Sequence, residues 1–290
     1  MAMELRFLTA EQRESFHREG YLVIEGFWSP ETVLKLRSKI KKILNDLAPA
    51  ESAVETIFTT KEQIRQSDNY FLESGDCIRF FWEEKARDAN NNFVQAPEDC
   101  VNKVGHALHD LDPDFQEVSY EKRVGMICRD LGLLMPLAVQ SMYIFKQAHI
   151  GGGVDAHQDG AFLYTEPQSV LGFWWALNDC TVDNGCLWAV PKSHELGMHR
   201  RFKRKSPPNE GTEWLPAEQT TAWDLSGAIP LEVSAGSLVL IHHSLVHYSA
   251  PNNSDNARHA YSIHVIDGIH NYPADNWLRK NNGPFNTIQF

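Results

Sequence analysis

The sequence predicts an α+β, mainly β, fold in which an antiparallel β-sandwich or barrel is braced by N-terminal helices. Helical patterns fill the chain to about residue 135, and short β-branched and aromatic runs fill residues 136–270. Helices followed by strands, without βαβ alternation, are typical of an antiparallel core covered by helices. Because no internal repeat or linker interrupts the chain, we predict one domain over residues 1–290.

The chain begins with a predicted helix and a short strand. Thr9 and Gln12 have the spacing of a capping box, which predicts a helix start, and Gly20 predicts its end. The apolar run at residues 21–27 then predicts a strand.

A longer helix is predicted next, because Ser29 can cap it and Pro30 suits its first position. Its apolar residues recur at helical spacing and are Val33, Leu36, Ile40, Ile43, Leu44 and Leu47. Further helices are predicted over residues 102–111 and about 120–133.

The second half of the chain is predicted to form the strands. Runs rich in β-branched and aromatic residues, separated by Gly, Pro, Asn and Asp, occur at residues 137–147, 169–177, 186–190, 237–243 and 260–266. A long irregular insertion over about residues 195–232 interrupts them, and insertions of this length are typical of lids or binding loops. Its basic run at residues 200–205 is either a solvated loop or a clamp for an anionic group.

Composition argues against several classes of protein. With 27 Lys and Arg against 38 Asp and Glu, the net charge is −11, which disfavours binding to nucleic acid. No apolar run approaches the length of a membrane span, and the N-terminus lacks a signal-peptide core. Five cysteines without a CxxC pair, and a C-terminus without the peroxisomal Ser-Lys-Leu, lead us to expect a cytoplasmic protein with free thiols.

A metal site is predicted at His157 and Asp159, which follow the glycine run at residues 151–153. Residues i and i+2 of an extended segment point to the same side, so both side chains can bind one ion. His247, after a predicted strand, supplies a third ligand. Two histidines and one carboxylate form the facial triad of non-haem iron oxygenases. The His-X-Asp pattern alone, however, is also found in ordinary extended loops.

Arg258 strengthens the prediction, because it lies eleven residues after His247 and just before a strand. A guanidinium in that position can hold a carboxylate at a fixed distance from the metal. The dicarboxylate 2-oxoglutarate needs both interactions, chelation at one end and a cation at the other.

A zinc hydrolase is a weaker interpretation. His243 and His247 have the spacing of a helical zinc pair, but the surrounding run is strand-like and Ser244 stands where the catalytic glutamate would be. His106 and His109, one turn apart on a predicted helix, are interpreted as structural or supporting residues rather than ligands.

Longer motifs resemble the phytanoyl-CoA dioxygenase family. They are HQDGAFLYTEP from His157, NGCLWAVPKSH from Asn184 and LVLIHHSLVHYSAPN from Leu238, and the similarity extends over almost the whole chain. The resemblance implies a double-stranded β-helix, that is, a jelly-roll, cupin-like core. It also implies iron(II) at His157, Asp159 and His247, with 2-oxoglutarate held by Arg258. Lys192 departs from the family, whose members commonly have glycine at this turn.

The resemblance implies further 2-oxoglutarate contacts, at Lys103, Met142, His157, Gln158, Asp159, Trp174 and Ser249. Several of these residues also have an interpretation without a ligand. Lys103 could be a solvated charge on a helix, Met142 and Trp174 could be core residues of their strands, and Ser249 could be a hydroxyl in a turn.

The implied reaction is hydroxylation, or oxidative demethylation, of a small molecule, with 2-oxoglutarate and O2 converted to succinate and CO2 and with ascorbate as a supporting reductant. Asp159 favours hydroxylation, since related halogenases lack this carboxylate. An acyl-CoA or other anionic substrate is one expectation. The alternative function is a sensor or binding module that keeps the fold, the metal and 2-oxoglutarate but has little turnover.

Overall fold

A computed structural model describes residues 6–51, 68–217 and 222–290 of the chain. The helices in these ranges are α1 (Ala10–Glu19), α2 (Pro30–Glu51), α3 (Asn69–Leu72), α4 (Leu108–Leu111), α5 (Pro113–Ser119) and α6 (Lys122–Asp130). The strands are β1 (Tyr21–Ile24), β2 (Ile78–Trp82), β3 (Val101–His106), β4 (Pro136–Ile144), β5 (Val154–His157), β6 (Leu171–Ala176), β7 (Leu187–Ala189), β8 (Arg201–Arg204), β9 (Thr212–Leu215), β10 (Ile229–Leu231), β11 (Leu238–His242), β12 (His247–Ser249), β13 (Ala260–Asp267) and β14 (Asn286–Thr287). Among the described helices, none combines the length and apolarity that crossing a bilayer requires.

The strands form two main sheets. The larger has the order β1-β11-β6-β13-β4-β3-β2, with β14 also paired to β4, and the smaller has the order β10-β7-β12-β5. Strands β8 and β9 form a separate two-stranded sheet. Pairing is antiparallel, and strands distant in sequence lie side by side, which is the arrangement of a jelly roll. The predicted α+β, jelly-roll fold is therefore confirmed.

Alternation along β6 shows how the larger sheet separates two cores. Phe173 and Trp175 belong to the cluster that contains the buried faces of the N-terminal helices, including Leu36. Trp174 and Ala176 point the other way and pack with residues of the smaller sheet. The face that carries Trp174 thus lines the space between the two sheets.

The first helices agree with their sequence signals. Thr9 and Gln12 form the predicted capping box, and Gly20 ends α1 with φ of 83°. Pro30 is the first residue of α2. Lys192, the residue at which the sequence departs from the expected glycine, adopts φ of 66°, a left-handed conformation that glycine reaches without the steric cost of a Cβ atom.

The helix predicted over residues 102–111 is wrong. Residues 101–106 form β3, which pairs with β2 on one side and β4 on the other and is buried at every position. A strand buried on both faces shows no alternation, so its pattern resembles that of a buried helix. Only Leu108–Leu111 are helical, and His106 and His109 do not share one helix.

The insertion over residues 195–232 is less irregular than predicted, since it contains β8, β9 and β10; residues 218–221 lie outside the described ranges. Its basic run is largely paired. Arg201 and Lys203 both contact Asp275, and Arg204 donates to the carbonyls of Leu72 and Trp277. These three cations hold the hairpin to the rest of the chain, so neither a solvated loop nor an anion clamp describes them.

Candidate metal and co-substrate site

The predicted metal ligands come from two neighbouring strands of the smaller sheet. His157 ends β5 and His247 begins β12, and the two residues are direct partners in the antiparallel pairing. Asp159 follows in a short 3₁₀ turn, which brings its Oδ1 to 3.6 Å from Nε2 of each histidine. One nitrogen or oxygen of each side chain lies within 4.8 Å of the others, so the three can ligate one ion.

Backbone carbonyls orient both imidazole rings. Nδ1 of His157 lies 2.8 Å from the carbonyl oxygen of Asp155, and Nδ1 of His247 lies 3.1 Å from that of Leu245. Because a carbonyl only accepts, each Nδ1 carries a proton, which leaves Nε2 as the ring atom available to a metal ion. This is the tautomer that a metal ion requires, held in place by the residues around the ligands.

His264 and Gly172 position the Asp159 carboxylate. Nε2 of His264 lies 3.2 Å from Oδ2, leaving Oδ1 to face the two ligand histidines. Gly172 is opposite His264 in the β13–β6 pairing, and a Cβ atom there would lie 3.0 Å from Oδ2. The glycine therefore makes room for the carboxylate.

The three ligands affect one another's protonation. Burial would raise the pKa of Asp159, but the charges of His264 and His247 and a hydrogen bond from His157 lower it well below its usual value. Burial, and then the charge of His157, lowers the pKa of His247 to about 4. Burial also opposes the charge on His157, yet Asp159 raises the pKa of His157 above its ordinary value. At neutral pH the site thus offers one carboxylate and at least one neutral imidazole, a donor set suited to a divalent transition metal.

A cavity of about 130 Å³ opens beside these ligands, between the two sheets. The other predicted co-substrate residues that line it are Lys103, Met142, Trp174, Ser249 and Arg258. Gln158 does not line it. Its side chain donates to the carbonyls of Gly197 and Ser244 instead, which ties the metal-binding turn to the insertion and to the loop before β12.

Arg258 is the feature of this cavity that most clearly indicates a ligand. The side chain is 1% exposed, and its Nε and Nη1 atoms have no hydrogen-bond partner among the described residues. Its guanidinium lies 5.2 Å from the centre of the Trp174 ring. A buried cation with unsatisfied donors is costly unless an anion completes it. An anionic group in the cavity that the metal ligands also line fits that requirement.

Two buried lysines line the same cavity. Burial lowers the pKa of Lys103 to about 7, and its Nζ lies 3.9 Å from the sulfur of Met142. Lys146, which was not predicted from the sequence, donates to the carbonyls of Gly152 and Ala250 at 2.7 Å. Burial, reinforced by the nearby Arg258, lowers the pKa of Lys146 to about 7.

His264 was not among the site residues predicted from the sequence, although a signal was present. In β13 the side chains of Tyr261, Ile263 and Val265 join the helix-covered core, while Ser262 and His264 alternate onto the opposite face. Two polar residues on one face in the middle of a fully buried strand indicate a polar cavity on that face.

Solved structures of other proteins share this fold at low sequence identity. The structure of EctD from S. alaskensis with bound Fe matches with a TM-score of 0.67 and 17% identity, covering 100% of this chain and 89% of that one. The epimerase SnoN, solved with Fe3+ and alpha ketoglutarate, matches with a TM-score of 0.61 and 15% identity, covering 97% and 92% of the two chains. These similarities establish the shared fold.

Sequence comparison gives the family. A phytanoyl-CoA dioxygenase of Arabidopsis thaliana is 43% identical over 276 residues, covering 94% of each chain. Phytanoyl-CoA dioxygenase domain-containing protein 1 of Mus musculus is 42% identical over 280 residues, covering 94% of this chain and 95% of its own. The sequence profile of the phytanoyl-CoA dioxygenase (PhyH) family matches residues 16–260. With most of its length matched in this way, the chain belongs to the phytanoyl-CoA dioxygenase family.

Proposed function

We propose that the chain is an Fe(II)- and 2-oxoglutarate-dependent dioxygenase that hydroxylates, or oxidatively demethylates, a small molecule and releases succinate and CO2. The observation that carries the proposal is the combination of the His157, Asp159 and His247 cluster with the unsatisfied Arg258 guanidinium in one cavity. A metal-chelating co-substrate with a second carboxylate fits both features. The fold relatives solved with iron and alpha ketoglutarate agree with this.

In this proposal His157, Asp159 and His247 hold the iron from one side and leave its other positions to ligands. The bound iron supplies the activation of O2 that organic side chains cannot perform. Met142, Trp174, Ser249 and Lys103, together with Gln158 through its support of the metal-binding turn, are proposed to shape the co-substrate site.

Arg258 is proposed to bind the distal carboxylate of 2-oxoglutarate. The apolar side chains of Ile144, Leu187 and Ile241 also line the cavity and exclude water around that contact. Charge pairs are stronger in such a water-poor setting than in solvent. The residues around Arg258 therefore orient the co-substrate with its oxo-acid end toward the metal ligands.

The test is succinate release by the purified chain with Fe(II), ascorbate and 2-oxoglutarate, before and after a metabolite extract is added. The proposal expects succinate above a His157→Ala control, with or without the extract. If the chain releases no more succinate than the His157→Ala control even with the extract, while 2-oxoglutarate still binds, the chain is a sensor or binding module instead.

The small-molecule substrate and the cellular location are part of the proposal. A clamp for the phosphates of an acyl-CoA would need free cations in the basic run at residues 200–205. Its central cations are instead paired with Asp275 and with backbone carbonyls, which does not favour an acyl-CoA substrate. We propose a cytosolic location, supported by the five cysteines, all of which are free.

A further inference from the structure

A second cavity, of about 320 Å³, adjoins the metal cavity. The residues that line both cavities are Asn102, Gly152, Val154, Tyr248 and Ser249. Leu225, from the insertion, lines the second cavity but not the first. We call the two spaces the inner cavity, beside the metal ligands, and the outer cavity. A molecule in the outer cavity would lie next to the site where O2 is activated.

Apart from the metal ligands, the two cavities are lined by ionisable groups of opposite type. The inner cavity is lined by Lys103, Lys146 and Arg258, which suit the two carboxylates of 2-oxoglutarate. The outer cavity is lined by Glu83, Glu84 and Asp155, and its described lining contains no lysine, arginine or histidine. The two neighbouring cavities would therefore attract groups of opposite charge.

Glu83 is the outer-cavity residue that indicates a missing ligand. It follows β2 directly and is 1% exposed. Oε2 accepts a 3.0 Å hydrogen bond from the Gly152 amide, whereas no donor among the described residues meets Oε1 with hydrogen-bond geometry. Burial raises the pKa of Glu83, and the Gly152 amide, the Asn102 side chain and the Gln147 amide favour its charged form and oppose that shift. A buried carboxylate oxygen without a donor is rare in folded proteins and costly. The nearest buried cation, Lys146, already donates to two backbone carbonyls.

An aromatic side chain lies in the same wall. The Tyr248 ring stacks on Trp188, with centroids 5.8 Å apart, and lines both cavities. A carboxylate combined with an aromatic surface is the usual recognition set for an amine or a quaternary ammonium group, because both interact with positive charge.

We infer that the outer cavity binds an organic cation, and that the substrate of the proposed dioxygenase carries a protonated amine or quaternary ammonium group held by Glu83, Asp155 and Tyr248. The cation site is inferred from the outer cavity alone. That its ligand is the substrate rests on the proposed dioxygenase function. A CoA thioester would bring its phosphates toward three carboxylates, which repel them.

The test compares two probes of nearly the same shape. Choline carries a quaternary ammonium, and 3,3-dimethylbutan-1-ol has a neutral carbon in its place. Each is titrated by NMR into the full chain, with Mn(II) and 2-oxoglutarate present and again without them. We expect choline to bind at least about tenfold more tightly, the order of magnitude of a desolvated cation–aromatic contact with an added charge pair.

Variants test whether the preference for choline arises in the outer cavity. Glu83→Gln and Asp155→Asn should each reduce the advantage of choline severalfold, and Asp155 is exposed, so its variant is expected to fold even if the buried one does not. Glu25→Gln makes the same change of net charge at an exposed residue outside both cavities and should leave the advantage unchanged.

Equal affinity of the wild-type chain for the two probes would overturn the inference. So would an undiminished preference for choline in both Asp155→Asn and a correctly folded Glu83→Gln variant. Tighter binding of coenzyme A than of choline at this cavity would overturn it as well. Choline selectivity in a chain that makes no succinate would retain the cation site and refute the proposed dioxygenase. Succinate production without choline selectivity would support the proposed dioxygenase and refute the cation site.

Discussion

Replacing Arg258 with methionine should have opposite effects on folding and on co-substrate binding. The guanidinium is buried, and two of its nitrogens have no partner among the described residues. Leaving a buried donor unsatisfied costs about 1–3 kcal/mol, and more for a charged group. Arg258→Met removes that cost from the free protein, so its free energy of unfolding should rise by about 1–3 kcal/mol.

The same substitution should weaken 2-oxoglutarate. Removing one member of a buried charge pair costs about 2–5 kcal/mol, which is about 30- to 4,000-fold in affinity at roughly 1.4 kcal/mol per factor of ten. Mn(II) binding should persist, because Arg258 is not a member of the cluster of His157, Asp159 and His247.

Three measurements check this prediction: urea unfolding of the metal-free protein, calorimetric titration with Mn(II), and titration of the Mn(II) form with 2-oxoglutarate. Arg258→Lys is the matched variant, since it keeps the charge but loses the planar donor arrangement, and it should fall between wild type and Arg258→Met. Unchanged 2-oxoglutarate affinity would refute the reasoning. Parallel loss of Mn(II), or a less stable metal-free protein, would show that Arg258 supports the fold rather than the ligand.

Three further predictions concern the metal ligands. Gly172→Ala should weaken Mn(II) binding at least about tenfold, because the new Cβ would lie 3.0 Å from Oδ2 of Asp159; Gly227→Ala, where nothing lies within 4 Å, should not. Calorimetric titration compares the two. His264→Leu should weaken Mn(II) by about 10- to 100-fold, the usual effect of losing a residue that orients a ligand, and equal affinity would remove that role. Asp159 raises the pKa of His157 above its ordinary value, and a metal ion binds only the neutral imidazole ring. The affinity for Mn(II) should therefore fall by up to about tenfold per pH unit as the pH drops below the pKa of His157. An affinity that does not change between neutral and mildly acidic pH would contradict this.

Local patterns predicted much of this molecule. The spacing of His157 and Asp159 predicted that both side chains face one point, and the structure brings them to 3.6 Å, although Asp159 lies in a 3₁₀ turn and not in the extended segment. The capping box at Thr9 correctly located the first helix. Such features depend on residues a few positions apart, so the sequence states them directly.

Features that depend on distant strands were harder to predict. Residues 101–106 looked helical because β3 is buried on both faces, and only its pairing with β2 and β4 makes it a strand. The role of His264 depends on Asp159, 105 positions earlier in the sequence, and the outer cavity joins Glu83 to Tyr248 across two sheets. Neither contact has a signature within one sequence window.

The proposed dioxygenase is tested most directly by following heavy-isotope dioxygen into succinate. The chain, with Fe(II), ascorbate and unlabelled 2-oxoglutarate, should produce succinate that contains one heavy oxygen atom, since one atom of O2 enters the new carboxylate. An Asp159→Ala variant should produce none above the background without protein. Unlabelled succinate, or equal labelled succinate from the Asp159→Ala variant, would contradict the proposal that this site activates O2.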